Sequence, residues 1–429
     1  MEITKIVSNL GSIVGDAQVH AESVEIEAVV KRGEWENRPL AIVTPTDAAQ
    51  VVELVRFAER EGVATVPSGG CTRLHIGYPP SPDKPYIVLS TAQFNKIVDF
   101  QPDDLTVTCE PGVTLADLQA HLVTEEPPRK LMLALDTPLA NSSTLGGIVS
   151  SGGAGFWRSS YGAPRDLLIG LHAVMSEGVG IKGGGRVVKN VAGYDICKLF
   201  AGAWGTMGVL TDLTFRLRTR PVHEETLAFA TPDIATAFRL GFELHHAHLA
   251  ITYLLATNEV DGTPMLLVGL QGSPERVQWQ SEECGRRIQS AGISNSFVRL
   301  SAEHLTNLLD KQARLDDATA LALRASLTPD SIEGALKSID SGLAATADCA
   351  LGTLSLGSPQ VDTALVRSLA KAFPAEANLL WMRLPAELRE QEKISVWGAV
   401  RGEFFLHRAL KTSLDPHNTF SPGRFHGRI

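Results

Sequence analysis

The sequence predicts an α+β protein in two main parts, and three observations carry that prediction. A strand–helix–strand opening runs into a glycine-rich loop, and two further glycine clusters follow before residue 221. Short alternating strands, not long helices, separate those clusters. After Pro221 glycine thins out and helices alternate regularly with strands, the pattern of an antiparallel sheet backed by helices. The expected boundaries are 1–221 for the first domain, 222–393 for an α+β second domain, and 394–429 for a C-terminal helix and tail that return to the first.

Residues 1–32 carry little signal and read as a short polar lead-in of helix or strand. Arg38–Val43, followed by Pro45, is a strand. Asp47 then caps a helix whose Val51, Leu54, Val55 and Ala58 fall on one face. Gly62 ends that helix, and Val63–Pro67 begins the next strand, which feeds PSGGCTRLHIG (Pro67–Gly77). Tyr86–Ser90 and Leu105–Glu110 are strands, the second alternating Leu105, Val107 and Cys109 with threonines and a glutamate. After the Pro111-Gly112 turn, Thr114 and Asp117 form a capping box for a helix carrying Leu115, Leu118 and Leu122. The second cluster, STLGGIVSSGGAG, spans Ser143–Gly155, and Leu167–Met175 is a hydrophobic strand. The third, IKGGGRVVKNVAGYDICKLFAGAWGTMGV, ends in the alternating strand Val209–Leu217.

In the second part, strands are expected at Thr226–Ala230, Ala250–Leu255, Met265–Leu270, Ala320–Ser326, Leu351–Leu356 and Leu379–Leu384. Helices are expected at Asp233–His246, Ser273–Ala291, Glu303–Asp310, Pro329–Ser338 and Val361–Ala372. Two rounds of this pattern suggest a pseudo-repeated domain with sheet on one side and helices on the other. A last helix, Val400–Thr412, precedes the tail LDPHNTFSPGRF.

Composition narrows the function. The formal charge of -9, with no Lys/Arg cluster, argues against a nucleic-acid surface. The five cysteines are scattered singly with no C-x-x-C pair, which argues against a zinc or iron–sulfur site and for a reducing compartment. No window approaches the roughly 18 apolar residues of a membrane span, and no signal peptide is read at the start. A cytoplasmic protein with no metal site is the expectation.

Glycine at this density weakens ordinary helices and strands, and makes sense where backbone must approach a ligand closely. A dinucleotide fingerprint should open a long helix with an acidic residue about 20 positions on. Here Pro79, Pro80, Pro82 and Pro85 follow the first cluster instead. The pattern fits a strand–loop–strand nest whose successive N–H groups point at pyrophosphate oxygens. Each cluster alone would be an ordinary surface turn; three within one domain favour a cofactor cleft.

The ordered motifs, from PSGGCTRLHIG through LTVTCEPGVTLADLQAHL, STLGGIVSSGGAG and YGAPRDLLIGLHAV to the third cluster, resemble the FAD-binding domain of the PCMH (vanillyl-alcohol oxidase) type. The last two and the tail resemble the FAD-binding E subunit of bacterial glycolate dehydrogenase. The resemblance implies a two-part FAD-binding domain plus an α+β cap with antiparallel sheet. By the same resemblance Ser68, Gly69, Gly70, Cys71 and Thr72 would form the pyrophosphate loop. Thr144, Gly146, Gly147, Ser150 and Gly153 would line the flavin's other side, and Gly205, Thr206, Gly208 and Val209 would meet the adenine–ribose end. Several relatives attach FAD through a histidine where this chain has Cys71, so non-covalent FAD is expected. His75, four residues along, reads as a surface or supporting group.

Oxidising a 2-hydroxy acid needs a cation for the carboxylate, a base for the hydroxyl proton and an acceptor for the hydride. Arg383, on the strand LLWMRLP, is the candidate carboxylate clamp, against the ordinary reading of a surface arginine. The H-x-G-D-G-N segment of related catalytic subunits has no counterpart here. His245, His246 and His248 read as an ordinary helix end rather than a metal site. Arg165, Asp166, Lys189, Asn190, Tyr194 and Asp195 are balanced between site and structural roles, whereas Trp204 and Met207 read as packing. The resemblance implies a subunit acting on glycolate, with a catalytic flavoprotein subunit and an iron–sulfur subunit as partners. Any membrane contact would run through them. A stand-alone 2-hydroxy-acid dehydrogenase and a flavin-free scaffold are the rival readings.

Overall fold

The computed structural model describes residues 3–124, 130–185, 194–313, 318–339 and 342–429. They form two compact units. The first joins Met1–Ala154, Gly162–Thr219 and Val400–Ile429; the second joins Gly155–Tyr161 with Arg220–Ala399. The sequence placed the breaks at 221/222 and 393/394 and gave no sign that Gly155–Tyr161 belongs with the second unit. That segment is held there by Ser159 and Ser160, whose hydroxyls donate to the Thr252 carbonyl at 2.9 and 2.8 Å, and by Phe156 against Tyr253.

The first unit has two lobes. In its N-terminal lobe Ile42–Val43, Tyr86–Ser90 and Ala64–Ser68 run parallel, with Val19–His20 antiparallel at the edge. The near-continuous apolar run of Tyr86–Ser90 reflects burial on both faces. Ile87 and Leu89 pack with the helices Ile3–Val14 and Ala48–Arg60, while Val88 and Val66 pack with Ile26 and Trp35. Asp47 caps Ala48–Arg60 as expected, accepting from the Gln50 amide at 2.8 Å. The first 32 residues are more ordered than their polarity suggests. Ile6, Leu10 and Val14 recur every four residues and are buried, and a second helix spans Val24–Gly33.

The other lobe carries an antiparallel sheet in the order Ile97–Gln101, Thr106–Cys109, Val209–Arg216, Leu168–Val174, Gly180–Gly184. Leu213 and Phe215 on its central strand meet Leu118 and Leu122 of the helix Leu115–Thr124 and Ile148 of Leu145–Ser151. Thr114 caps the first of these helices, accepting from the Asp117 amide at 3.1 Å, while its hydroxyl donates to the Asp117 carboxylate.

The C-terminal tail belongs to this unit. It runs parallel beside Ala64–Ser68, with Thr65 N–H donating to Thr419 O at 2.7 Å and Ser421 N–H to Thr65 O at 2.9 Å. Lys411, buried on the helix Phe404–Leu414, ties it down by donating to Asp415 and to the carbonyls of Thr206 and Phe420, each 2.8 Å away. Asp415 in turn accepts from the amides of Thr419 and Phe420, both at 2.8 Å. Burial pushes the Lys411 ammonium down from its ordinary range, and Asp415 opposes the shift.

The second unit confirms the pseudo-repeat. Its described strands form one antiparallel sheet in the order Val298–Leu300, His223–Ala230, Met265–Gly272, Ile251–Thr257, Ala344–Asp348, Thr353–Ser358, Leu321–Ser326, Asn378–Arg383. The order in the first four strands is mirrored in the last four. The halves join where Leu255, Ala256 and Thr257 pair with Asp348, Ala347 and Thr346. Alternation assigns the faces: Leu227 and Phe229 point toward the core shared with the helices Ile234–His245 and Pro329–Ser338, while Ala228 meets Phe156 and Leu308. The helix Ala302–Lys311 therefore covers the opposite face from the others, so the helices are not confined to one side as expected.

Candidate functional site

Where the strand Ala64–Ser68 ends, a cleft opens within the first unit. Its walls come from the loop after that strand, the start of the helix Leu145–Ser151, the turn Trp204–Gly208 and the C-terminal tail. The sequence-predicted residues it brings together are Ser68, Gly69, Gly70, Cys71, Thr72, Thr144, Gly146, Gly147, Ser150, Gly205 and Gly208. Three others are not among the lining residues. Val209 is fully buried in the core of the N-terminal lobe, and Thr206 is equally buried, donating to the Ala203 carbonyl. Gly153 packs under an arginine: a Cβ there would stand 2.5 Å from Arg73 Cζ.

The loop Gly69–Thr72 presents its backbone. Among the described residues, the amides of Gly69, Gly70, Cys71 and Thr72 donate to no backbone carbonyl. Cys71 takes the left-handed conformation at φ 57°, the alternation that turns successive N–H groups toward one point. These residues are half-buried, so the amides are open to an anion or to solvent as acceptor. The Cys71 thiol is engaged elsewhere, 3.1 Å from Ser68 Oγ and donating to Gly69 O at 3.5 Å. Burial pushes its pKa up, with Ser68 opposing, which keeps it a neutral thiol. His75 is buried and is not a lining residue, which corrects its reading as a surface group.

The glycines divide into two sets. At Gly69, Gly70 and Gly146 the chain itself excludes a Cβ, which would stand 2.1 Å from Thr144 Oγ1, 1.6 Å from Ser142 O and 2.6 Å from Pro111 Cβ. At Gly147 a Cβ would meet only Thr144 Oγ1, at 3.2 Å, so there the chain's own packing does not demand glycine. The expectation that a ligand alone explains the glycines therefore narrows to Gly147.

Sequence reasoning passed over two charged residues of this wall, Arg73 and Arg424. Arg73 Nη2 donates to Thr137 Oγ1 at 3.0 Å. Arg424 is buried, donates to Leu74 O at 3.0 Å and lies over the Trp35 ring at 4.8 Å. Burial pulls its pKa down to about 10, Tyr86 opposing, so it stays charged at neutral pH. The lining residues include these two cations and no Asp or Glu. Trp204, read as packing, is also on the wall, at φ 54°.

A family model described as an FAD binding domain matches residues 39–183. This chain carries an FAD-binding domain. Its matched span holds both Gly69–Thr72 and the start of the helix Leu145–Ser151. p-Cresol methylhydroxylase superposes with a TM-score of 0.77, covering 98% of this chain and 96% of that one at 17% identity. An alkyldihydroxyacetonephosphate synthase gives 0.68 over 99% and 86%, also at 17%. The fold around the FAD-binding domain is thus of the PCMH type. In sequence, a D-2-hydroxyglutarate dehydrogenase of Stutzerimonas stutzeri is 32% identical over 232 residues, 53% of this chain and 48% of that protein. The glycolate oxidase subunit GlcD of Bacillus subtilis is 29% identical over 235 residues, 55% and 48%. The chain spans about half the length of the curated relatives it matches.

None of the other described candidates is among the residues that line the cleft. His245 ends the helix Ile234–His245, and His248 follows it at φ 56°, so the two do not share a helix face; His246 Nδ1 lies 2.9 Å from Phe242 O. Among the described residues no group of His, Cys, Asp or Glu is arranged to hold a metal ion. Asp166 accepts from the Ala163 amide at 2.9 Å, a turn contact, and Tyr194 is 97% exposed. Lys189 and Asn190 lie outside the described residues. Arg383 ends the edge strand Asn378–Arg383 of the second unit, paired with Ala322 and half-buried. Among the described residues no helix is long and apolar enough to cross a membrane.

Proposed function

We propose that this chain is an FAD-dependent oxidoreductase acting on the CH–OH group of a small 2-hydroxy acid, glycolate or a relative such as D-lactate, as one subunit of a larger cytoplasmic assembly. The single observation that carries the proposal is the cleft wall, where four successive amides stand beside an acid-free, arginine-bearing surface. Bound FAD supplies the two-electron acceptor. The chain's own part is to hold the cofactor through Ser68–Thr72 and Thr144–Ser150 and to keep it dissociable, since the Cys71 thiol is neutral and engaged. Arg383 is the proposed clamp for the substrate carboxylate, a task suited to a planar, permanently charged guanidinium.

The relatives support the substrate class, because they include a D-2-hydroxyglutarate dehydrogenase, a D-lactate dehydrogenase and a glycolate oxidase subunit. The last of these favours the subunit reading, with a catalytic flavoprotein and an iron–sulfur protein as proposed partners and any membrane contact made through them. The dehydrogenase names favour the second reading, in which the chain oxidises the acid unaided. An absorbance spectrum of the purified protein, taken anaerobically before and after adding glycolate or D-lactate, tests both. A flavin band that bleaches with the lone chain supports the stand-alone enzyme, and one that bleaches only with partners present supports the subunit. The absence of any flavin band after FAD is added would sink both.

A further inference from the structure

Two arginines line the cleft together with the amide nest, and the chain reaches them by different routes. Arg73 follows Thr72 directly and is braced from the second lobe, by Thr137 Oγ1 at 3.0 Å and by the space left at Gly153. Arg424 comes from the tail and is seated on the loop just after the nest, donating to Leu74 O at 3.0 Å and to Ile76 O at 3.4 Å. Its place is set by the Trp35 ring below it and by the Lys411–Asp415 pair that fixes the tail. A diphosphate diester carries two negative charges, and a guanidinium offers several donors in a plane. A buried cation held on a ligand-facing wall is worth most where an anion meets it.

We infer that Arg73 and Arg424 are the paired cations of the cofactor diphosphate, and that the C-terminal tail is therefore a cofactor-binding element. This rests on the FAD reading of the cleft and names the groups that neutralise the ligand. It also gives Gly153 a physical role, that of seating Arg73.

Titrating the purified full chain with FAD, ADP and riboflavin separates diphosphate contacts from ring contacts. Arg424→Gln and Arg73→Gln are each expected to weaken FAD and ADP together by about tenfold or more, leaving riboflavin within about twofold. Arg424→Lys should recover part of the loss, because it keeps the charge and gives up the planar fork. Unchanged FAD affinity in the glutamine variants overturns the inference, as does an equal loss for riboflavin, which would mean the cleft had merely loosened. If melting of the apo protein shows that Arg424→Gln does not fold, Arg73→Gln decides alone by the same criteria. A wild-type chain that takes up none of the three ligands overturns the FAD reading itself; a wild type that binds them while the variants bind equally well overturns only the diphosphate assignment.

Discussion

Gly70 and Gly147 both border the cleft, yet a methyl group on each would meet different surroundings. At Gly70 it would lie 1.6 Å from the Ser142 carbonyl, backbone that has nowhere to go. Gly70→Ala is therefore expected to cost about 3 kcal/mol or more of apo stability, read as a large fall in melting temperature. At Gly147 the only near atom is Thr144 Oγ1 at 3.2 Å, and the residue sits in the helix Leu145–Ser151, where alanine is intrinsically better by about 1 kcal/mol. Gly147→Ala should keep apo stability within about 1 kcal/mol while lowering FAD affinity; unchanged affinity would remove the flavin from that wall. Cys71 gives a second residue-scale prediction. With its thiol neutral and hydrogen-bonded, acid precipitation of the FAD-loaded protein should leave all the flavin in the supernatant, and yellow, fluorescent protein on a denaturing gel would refute the non-covalent reading.

Elements were legible in the sequence to the degree that their periodicity matched their burial. The helix Pro329–Ser338, with proline at its first position, and the apolar strand Tyr86–Ser90 stand where the sequence predicts them. The strand Ala344–Asp348 was missed because AATAD has no large apolar residue, although it is the seam between the two halves of the sheet. Ile3–Val14 is read only as helix or strand for a different reason: polar neighbours mask its apolar stripe. The site follows the same logic, since glycine clusters are visible in a linear text while Arg424, set 350 positions beyond Leu74, reaches the loop only through folding. The tail that delivers it depends on Lys411 and Asp415. Lys411→Met should destabilise the protein by about 3–5 kcal/mol, because Asp415 would be left charged and buried, and adding Asp415→Asn should recover part of the loss. Equal denaturation midpoints for Lys411→Met and wild type would show that the pair does not hold the tail.

At the scale of the whole molecule, the proposed roles fall on different units. Every residue lining the cleft belongs to the first unit, whereas Arg383 belongs to the second, on the last strand of a mirrored sheet. The second unit has its own core, made of side chains from the sheet and its helices, so a surface-directed change on its edge strand should not disturb the first. The proposed roles then separate in measurement. Arg383→Met is expected to leave FAD affinity within about twofold of wild type and to raise the hydroxy-acid concentration needed for half-maximal anaerobic bleaching by about tenfold or more, the loss of one bidentate charged contact. The comparison requires whichever assembly bleaches in wild type, the lone chain or the chain with its partners. If Arg383→Met bleaches at wild-type concentrations, the carboxylate clamp lies elsewhere in this chain or in a partner; if it loses FAD as well, the two units are energetically coupled and the division of labour fails.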